Sequence, residues 1–298
     1  MAGKEGRSDL PLMAGLFAIN VFWGGSFVAN AIALRAIGPI EIAALRFFIA
    51  APLLAVLTFL WKGPGIFRVE SRDLATLVIM AATGVTLQYV VQVTAQSYTT
   101  AINASLLINT SVFFIMFLGA LLLSEKLTAS RIAGAAIGFG GVALLVSGGR
   151  LSFDVGSHAA GDLMIIACAF MWAVYSIYGK KISGRYHPLT VLNCVFILGT
   201  LGLIPFYLLT PHGNPASLPA SAWLSILFLS LFCSIVAYLV YNVALDHMDA
   251  SRVAVFIYLV PLSTIVLASL VLGERLTIGS AIGGLMVLAG MYIAERKG

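Results

Sequence analysis

Charged residues are scarce in this chain of 298 residues: only 10% are Asp, Glu, Lys or Arg, whereas 60% are hydrophobic. A soluble domain carries about 25% charged residues because its surface must stay hydrated. With a mean hydropathy of +1.03, this chain lacks the polar groups needed to cover a surface in water. Composition therefore excludes an ordinary soluble protein and predicts an integral membrane protein.

Cysteine is equally sparse, and the pattern of its three residues excludes two kinds of site. Cys168, Cys194 and Cys233 all lie in apolar runs, and the chain contains no C-x-x-C motif or Cys/His cluster. We therefore expect no disulfide framework, no metal and no cofactor. The net charge of +5 comes without a dense Lys/Arg patch, so nucleic acid is not an expected partner.

Catalytic patterns are missing as well. The chain has no H-E-x-x-H or G-x-S-x-G motif, and no pair of carboxylates lies in the middle of an apolar run. An enzyme acting inside the membrane would need a nucleophile, a base or metal ligands at that depth. We therefore predict that the chain is not an enzyme. The same absence disfavours a carboxylate-based proton relay and a counter-ion for a cationic drug.

What the chain does contain is a series of apolar runs of about 20 residues, the length needed to cross a bilayer. Short connectors with Pro, Gly and charge separate them. A β-barrel is excluded because the runs are continuously apolar rather than alternating. We predict ten transmembrane helices, at 11–34, 40–61, 74–96, 101–123, 129–148, 162–180, 189–209, 222–245, 251–272 and 278–295.

The chain is an internal duplication. The stretch from Leu121 to Leu145 recurs from Leu270 to Ala294, and the offset of 149 residues holds along the chain without a gap. We predict one five-helix repeat at 1–149 and a second at 150–298. Because five is odd, the second repeat enters the membrane inverted relative to the first. The predicted fold is an all-α integral membrane protein of two inverted repeats, an architecture of many secondary transporters.

Lysine and arginine predict the orientation. With the N-terminus inside, thirteen of the seventeen basic residues lie on the cytoplasmic side and four on the other side. Positive charge accumulates in cytoplasmic connectors. We therefore expect both termini in the cytoplasm of a multi-pass protein.

Polar and aromatic stripes mark the candidate site. Polar groups that face lipid are costly, so these stripes are expected to face the protein interior or a wet cavity. Aromatic faces suit packing on a substrate, while amides and hydroxyls suit bonding to its polar end. The candidate substrate-binding residues are Asn20, Trp23, Gln88, Tyr89, Gln92, Gln96, Tyr98, Asn103, Trp172, Tyr175, Ser176, Tyr238 and Tyr241.

The same residue types also have structural uses. Gln, Asn and Ser hold membrane helices together, and Trp and Tyr form interfacial belts, to which we assign Trp61 and Trp223. Arg46, about two turns into the second helix, is expected to snorkel to the interface. The alternative role for Arg46 is a gate or a contact with a substrate carboxylate. Glu125 is interpreted as part of a hinge in which Thr128 caps the next helix.

Several motifs carry a resemblance to a known family: Phe22-Trp23-Gly24, Leu45-Arg46-Phe47, Tyr98-Thr99-Thr100-Ala101 and the L-x-x-x-E-x-L-T ends at Glu125 and Glu274. With them the chain resembles the drug/metabolite transporter superfamily in its ten-helix form with two EamA-type repeats. Pro261 lies thirteen residues before Glu274, as in the family, whereas the first repeat has Val112 at that position. We therefore expect less of a kink in the fourth helix.

The resemblance implies a function. Members of the family move small metabolites out of the bacterial cytoplasm by alternating access, and the interior of this chain looks most like that of the YddG-type exporters of aromatic and other neutral amino acids. We expect a neutral or zwitterionic substrate and an uncoupled or weakly coupled carrier in the bacterial inner membrane, as a monomer or weak homodimer. The alternatives are an exporter of nucleosides or other flat metabolites, and a channel.

Overall fold

The computed structural model describes residues 10–99, 101–146, 159–272 and 278–295. Within these ranges the fold consists of ten helical segments whose ends agree with the predicted ones to within three residues. They are α1 Leu10–Ala33, α2 Pro39–Lys62, α3 Ser71–Ala95, α4 101–123, α5 Ala129–Val146, α6 Ala159–Ile182, α7 Pro188–Leu209, α8 Ala220–His247, α9 250–272 and α10 Ile278–Glu295.

Length and composition make seven of these segments able to cross a membrane individually: α1, α2, α3, α6, α7, α8 and the part of α9 from Ala250 to Leu267. The structure is an all-α integral membrane fold of two inverted repeats, as predicted. The hinge residues Glu274 and Thr277 of the second repeat lie outside the described residues.

Proline sets the start of the second helix in each repeat. Pro39 begins α2 and Pro188 begins α7, at the 149-residue offset. Proline suits this position because its missing N–H is not needed in the first helical turn. At the other end of α2, Gly63 adopts a φ of 74° and its N–H donates to Phe59 O at 2.8 Å. Glycine adopts that left-handed conformation without steric cost, so the helix stops there.

Each repeat contains a π-helical segment at the same place. Ala82–Thr86 widens α3 and Leu231–Val236 widens α8. These two segments start 149 residues apart and lie in the middle of their helices. Such segments shift the backbone hydrogen-bond ladder and are frequent at functional sites. Neither segment is predicted from the sequence.

Each repeat also contains a 3₁₀ interruption, Ile108–Thr110 in α4 and Phe256–Tyr258 in α9. The interruption in α4 occurs even though Val112 replaces the proline found in α9, so the missing proline does not keep α4 regular. Side chains bond to backbone carbonyls there: Asn109 Nδ2 donates to Ser105 O at 2.6 Å, and Thr110 Oγ1 to Leu107 O at 2.7 Å. Such local bonds compete with regular helix.

Glycines join α5 to α10. A Cβ atom at Gly134 would lie 2.5 Å from Gly290 O, and one at Gly290 would lie 2.6 Å from Gly134 O. Only glycine permits this approach of two backbones. The duplicated stretch that reveals the repeat is therefore a scaffold, with Thr128 Oγ1 accepting from Arg131 N at 3.3 Å at the start of α5.

Contacts between connectors show which of them share an end of the bundle. At one end, Asp73 bonds Arg185 at 2.7 Å and Tyr186 OH at 2.8 Å, which joins the start of α3 to the α6–α7 connector. At the opposite end, Thr99 Oγ1 donates to Asp162 at 2.6 Å. These contacts fit connectors that alternate between the two sides of a membrane.

Candidate functional site

A central cavity of about 50 Å³ lies between α1, α3, α4, α6 and α9. Its wall is mostly aromatic and aliphatic, with amide and hydroxyl groups on one side. The lining residues are Trp23, Ser26, Phe27, Gln88, Tyr89, Gln92, Ile108, Ser111, Trp172, Ile257 and Val260. Apolar walls with a few convergent polar groups are typical of small-molecule sites.

The two π-helical segments hold the aromatic side chains of this site in place. Trp23 Nε1 donates to the carbonyl of Cys233 at 3.0 Å, and Tyr238 OH donates to the carbonyl of Gly84 at 2.5 Å. Gly84 and Cys233 are repeat mates at the 149-residue offset, and each lies within its π segment. Each repeat therefore uses a carbonyl of its widened helix to anchor an aromatic residue of the other.

Aromatic rings close the cavity toward the second repeat. The Trp23 and Trp172 rings meet edge to face with centroids 5.2 Å apart. Behind Trp172, the ring of Tyr175 stacks at 5.0 Å and that of Tyr241 lies at 5.1 Å. Tyr238 packs edge-on against Trp172 at 5.4 Å. These geometries are typical of packed aromatic pairs, so the cluster forms an aromatic wall of the cavity.

Arg46 does not snorkel, and that expectation is wrong. Its side chain is only 2% exposed and points into the bundle, where Nε donates to Ser234 Oγ at 2.6 Å. Nη2 donates to Cys233 O at 3.0 Å and to Tyr89 OH at 3.1 Å. The guanidinium therefore joins α2 to the π segment of α8 and to the cavity wall.

The hydroxyl protons around Arg46 form one directed chain. Tyr238 has a single O–H, and Gly84 O accepts it because a carbonyl only accepts. Tyr89 OH lies 3.0 Å from Tyr238 OH, so in that pair Tyr89 is the donor. Tyr89 in turn accepts from Arg46. The chain runs from the guanidinium through the paired tyrosines of both repeats to a backbone carbonyl.

The amides of α3 line the opposite wall of the cavity. Gln88 and Gln92 lie one turn apart, with their side chains hydrogen-bonded at 3.2 Å. With its oxygen and nitrogen exchanged, the Gln88 amide donates to Cys168 O at 3.0 Å and Thr83 O at 3.3 Å, which satisfies it better. In that orientation the Gln88 oxygen faces Gln92 Oε1 at 3.2 Å, so the two side chains bond to each other only when the Gln92 amide is exchanged as well.

The structure brings nine of the thirteen predicted site residues together. Five line the cavity: Trp23, Gln88, Tyr89, Gln92 and Trp172. Four are fully buried behind Trp172: Tyr175, Ser176, Tyr238 and Tyr241. Helix α8 therefore contributes the packing behind the wall rather than the wall itself.

Four predicted residues lie elsewhere. Asn20 points toward its own helix, where Nδ2 donates to Leu16 O at 2.7 Å. Tyr98 is 58% exposed at the end of the bundle and does not reach the cavity. Gln96 lines a second cavity, and the side chain of Asn103 lies outside the described part of the structure.

Sequence reasoning missed several lining residues. Ser26, Ser111, Ile257 and Val260 line the cavity although they were not chosen as site residues. Ser111 and Val260 are repeat mates at the 149-residue offset, and that pairing was the available signal. Phe27 lies four residues after Trp23 on α1, so the helical repeat places both side chains on the same face.

A second cavity of about 470 Å³ opens beside the first, at the end of the bundle formed by the α1–α2 and α3–α4 connectors. We call this the open end. Its lining residues are Ala31, Leu34, Ile37, Gly38, Pro39, Gln96, Ser97, Thr99 and Ala101. Neither polar atom of the Gln96 amide has a hydrogen-bond partner among the described residues.

The opposite end, formed by the α6–α7 and α8–α9 connectors, is closed by hydrogen bonds, and we call it the sealed end. Lys180 Nζ donates to Leu245 O at 2.7 Å and to Met248 O at 2.9 Å. Glu125 accepts from Ala250 N at 2.8 Å and from Ser251 N at 3.1 Å, so it caps α9 from the α4–α5 connector. Glu125 is thus part of the seal.

In the part of the chain that the structure describes, no group of three His, Cys, Asp or Glu side chains is placed to hold a metal ion. The residues lining the central cavity offer aromatic faces, amides and hydroxyls. This set of groups suits reversible binding of an organic molecule without covalent chemistry.

Comparisons with known proteins identify a family. A model of the EamA-like transporter family matches residues 11–147 and again 159–295. An uncharacterized transporter of Archaeoglobus fulgidus is 39% identical over 277 residues, which cover 93% of this chain and 94% of the relative. A probable terminal-alkyne amino-acid exporter of Streptantibioticus cattleyicolor is 28% identical over 279 residues, covering 93% and 91%.

The fold also matches a protein of known crystal structure. The TM-score is 0.80 over 97% of each chain, at 20% identity, a likeness that concerns the fold alone. The family model covers both halves of the sequence, and the archaeal relative aligns over nearly the whole chain. This protein is a multi-pass membrane transporter and belongs to the EamA-like transporter family.

Proposed function

We propose that the protein exports neutral or zwitterionic metabolites, foremost aromatic and other neutral amino acids, through the central cavity. The observation that carries this proposal is the pair of repeat mates Trp23 and Trp172, which meet at 5.2 Å in the wall beside the Gln88 and Gln92 amides. Aromatic faces bind flat apolar groups, and amides bond charged or polar ends. The name of the Streptantibioticus relative, an amino-acid exporter, supports the same substrate class.

Alternating access follows from the inverted repeats. We propose that the two repeats, 1–149 and 150–298, rock against each other so that the open and sealed ends exchange roles. The excess of Lys and Arg in the connectors of the sealed side supports placing that end, and both termini, in the cytoplasm. The structure then corresponds to a state that opens away from the cytoplasm of a bacterial inner membrane.

The carrier is proposed to work without obligate ion coupling. Among the described residues that line the cavity there is no Asp, Glu, Lys or Arg. A proton or sodium relay needs carboxylates at membrane depth. Counterflow in proteoliposomes without any imposed gradient is the expected behaviour, whereas strict dependence on a pH or sodium gradient would contradict this part of the proposal.

The substrate class is tested with purified protein in proteoliposomes, using a panel of neutral amino acids and nucleosides. Saturable counterflow of phenylalanine or tryptophan is expected, with at least a tenfold lower rate in Trp23→Ala and Trp172→Ala because each removes a wall of the cavity. Trp61→Ala is the matched control, since Trp61 is 71% exposed and outside the site.

Each alternative predicts a different result in the same panel. Transport of nucleosides but not of amino acids would replace the proposed substrate with the flat-metabolite alternative. Single-channel currents would overturn the carrier itself, because a channel conducts without alternating access. If both tryptophan variants match Trp61→Ala in every flux, the central cavity is not the transport site.

A further inference from the structure

Arg46 keeps part of its hydrogen-bonding capacity unused. A guanidinium has five N–H donors, and three of those of Arg46 are taken by Ser234 Oγ, Cys233 O and Tyr89 OH. Its Nη1 atom has no hydrogen-bond partner among the described residues. The side chain is nevertheless 98% buried, being only 2% exposed. Uncommitted donors on a largely buried cation are costly unless a ligand or water uses them.

The cation also has no anionic partner in the described structure. The ion pairs found there are Arg72–Glu70, Arg131–Asp249 and Arg185–Asp73, all at the ends of the bundle. An ionised side chain at membrane depth normally pairs with another charge or marks a substrate pathway. Arg46 therefore leaves an uncompensated positive charge inside the protein.

A purely structural role does not require this charge. The equivalent π-segment carbonyl of the first repeat, Gly84 O, is satisfied by the neutral hydroxyl of Tyr238 at 2.5 Å. The repeat mate of Arg46 is Val195, a buried aliphatic residue. The second repeat therefore packs an uncharged side chain at the equivalent position. The positive charge is present in the first repeat only.

The guanidinium lies one aromatic ring away from the central cavity. Its Cζ is 4.1 Å from the centroid of the Tyr89 ring, and Tyr89 lines the cavity. Arg46 also shares the Cys233 carbonyl with Trp23, another lining residue. A shift of Tyr89 or Trp23 is therefore enough to bring the cation into contact with the cavity.

The size of the cavity makes such a shift necessary for the proposed substrates. Its volume is about 50 Å³, whereas small-molecule sites enclose roughly 300–1,000 Å³. An aromatic amino acid enters only if wall residues move apart. Separation of Tyr89 from Trp23 enlarges the cavity on the side where Arg46 lies.

We propose that Arg46 is the carboxylate-binding residue of the loaded cavity and that Nη1 receives the substrate carboxylate. The inference rests on the proposed function and deepens it: substrates are selected for a carboxylate, with Trp23 and Trp172 holding the apolar part. Arginine suits this role because its planar fork bonds a carboxylate in a bidentate manner, and charge-assisted bonds are the stronger ones.

The test compares phenylalanine with phenylalaninamide, which differ only in the carboxylate. The ratio of the two initial rates in proteoliposomes measures selectivity within each variant. A change in the amount of folded or inserted protein alters both rates equally and leaves this ratio unchanged. The wild type is expected to prefer phenylalanine, and Arg46→Gln is expected to lower the ratio about tenfold or more. Arg46→Lys retains the charge and is expected to restore part of the preference. Arg35→Gln is the control, because it removes a cation from an exposed position.

An unchanged ratio in Arg46→Gln, with both rates lowered together, would overturn the inference and leave Arg46 a structural bridge. A second readout does not depend on amino-acid transport: thermal stabilisation of the solubilised protein by phenylacetate relative to phenylacetamide. The wild type and Arg35→Gln are expected to favour phenylacetate, and Arg46→Gln is expected to lose that difference. If phenylacetate stabilises the wild type more than phenylacetamide does but no amino acid is transported, the proposed function alone is refuted. If the difference between the two ligands is the same in all variants, the role of Arg46 is refuted.

Discussion

The open end and the sealed end are built from equivalent positions of the two repeats, but their side chains differ in kind. At the open end, Asn30 is buried and Gln96 lines the larger cavity, and neither amide has a hydrogen-bond partner among the described residues. Their repeat mates at the sealed end are Gly179 and Leu245. A Cβ atom at Gly179 would lie 3.1 Å from Leu245 Cδ1, so apolar groups already fill that space.

The difference shows how a symmetric backbone becomes an asymmetric transporter. Both repeats have the same helices and the same π segments, so the backbone favours neither end. The sealed end has the bonds of Lys180 and Glu125 to hold its helices together. The open end has the Thr99–Asp162 bond, but its buried amides Asn30 and Gln96 have no hydrogen-bond partner among the described residues. Side chains therefore set which end is closed in this state.

The largest effect is expected from Glu125→Ala, which breaks the seal. Three hydrogen bonds to Ala250 N, Ser251 N and Ser251 Oγ are lost at the start of α9. Bonds to a charged group contribute about 1.5–3 kcal/mol each, and they are not additive. We expect roughly 3 kcal/mol of destabilisation and faster maleimide labelling of Met248→Cys, whose parent side chain is 3% exposed.

Glu70→Ala is the control for that experiment. Glu70 pairs with Arg72 at 2.8 Å, but its side chain is 61% exposed, and exposed ion pairs contribute little. Labelling and thermal unfolding should match the parent. If Glu125→Ala labels no faster than Glu70→Ala, the cap on α9 does not hold the sealed end closed.

A smaller effect is expected from Lys180→Met. The long apolar stem is kept while the two bonds to Leu245 O and Met248 O are removed. The carbonyls at the end of α8 then lose a cation that favours a helix C-terminus, which we expect to cost about 2 kcal/mol. Thermal unfolding measures the loss. The exposed neighbour variant Lys181→Met should be neutral, and equal losses in both variants would contradict the role of the Lys180 bonds.

The smallest effect, and one of opposite sign, is expected from Asn30→Leu at the open end. Asn30 is 1% exposed and neither of its amide atoms is hydrogen-bonded. An apolar side chain of similar size removes that desolvation penalty, so stability should rise by about 1 kcal/mol. Transport should fall if the amide serves the pathway.

Asn193→Leu is the matched comparison for the thermal measurement. Asn193 Nδ2 donates to Thr58 Oγ1 at 3.0 Å and to Leu189 O at 2.8 Å, so the same substitution there should destabilise. If Asn30→Leu lowers the unfolding temperature as much as Asn193→Leu does, the Asn30 amide contributes to stability like a hydrogen-bonded one. The contrast drawn between the two ends would then be wrong.

The sequence predicted the helices and much of the site because both leave periodic signals. Runs of about 20 apolar residues set the span lengths, and the Trp23–Trp172 pairing came from the repeat itself. The π segments were not predictable, since neither Ala82–Thr86 nor Leu231–Val236 carries a composition that demands a wider helix. The inward direction of Arg46 was missed because its depth along α2 does not tell which face of the helix it occupies.

By itself the sequence determined a membrane protein of ten helices in two inverted repeats, because hydrophobic length and a constant offset depend only on the order of residues. Only the tertiary structure decided which side chains meet. The chain from Arg46 through Tyr89 and Tyr238 to Gly84 joins α2 and α3 of the first repeat to α8 of the second. Hydrogen bonds and packing act over a few ångströms in space, so which end is sealed and where the cation points follow from the folded arrangement.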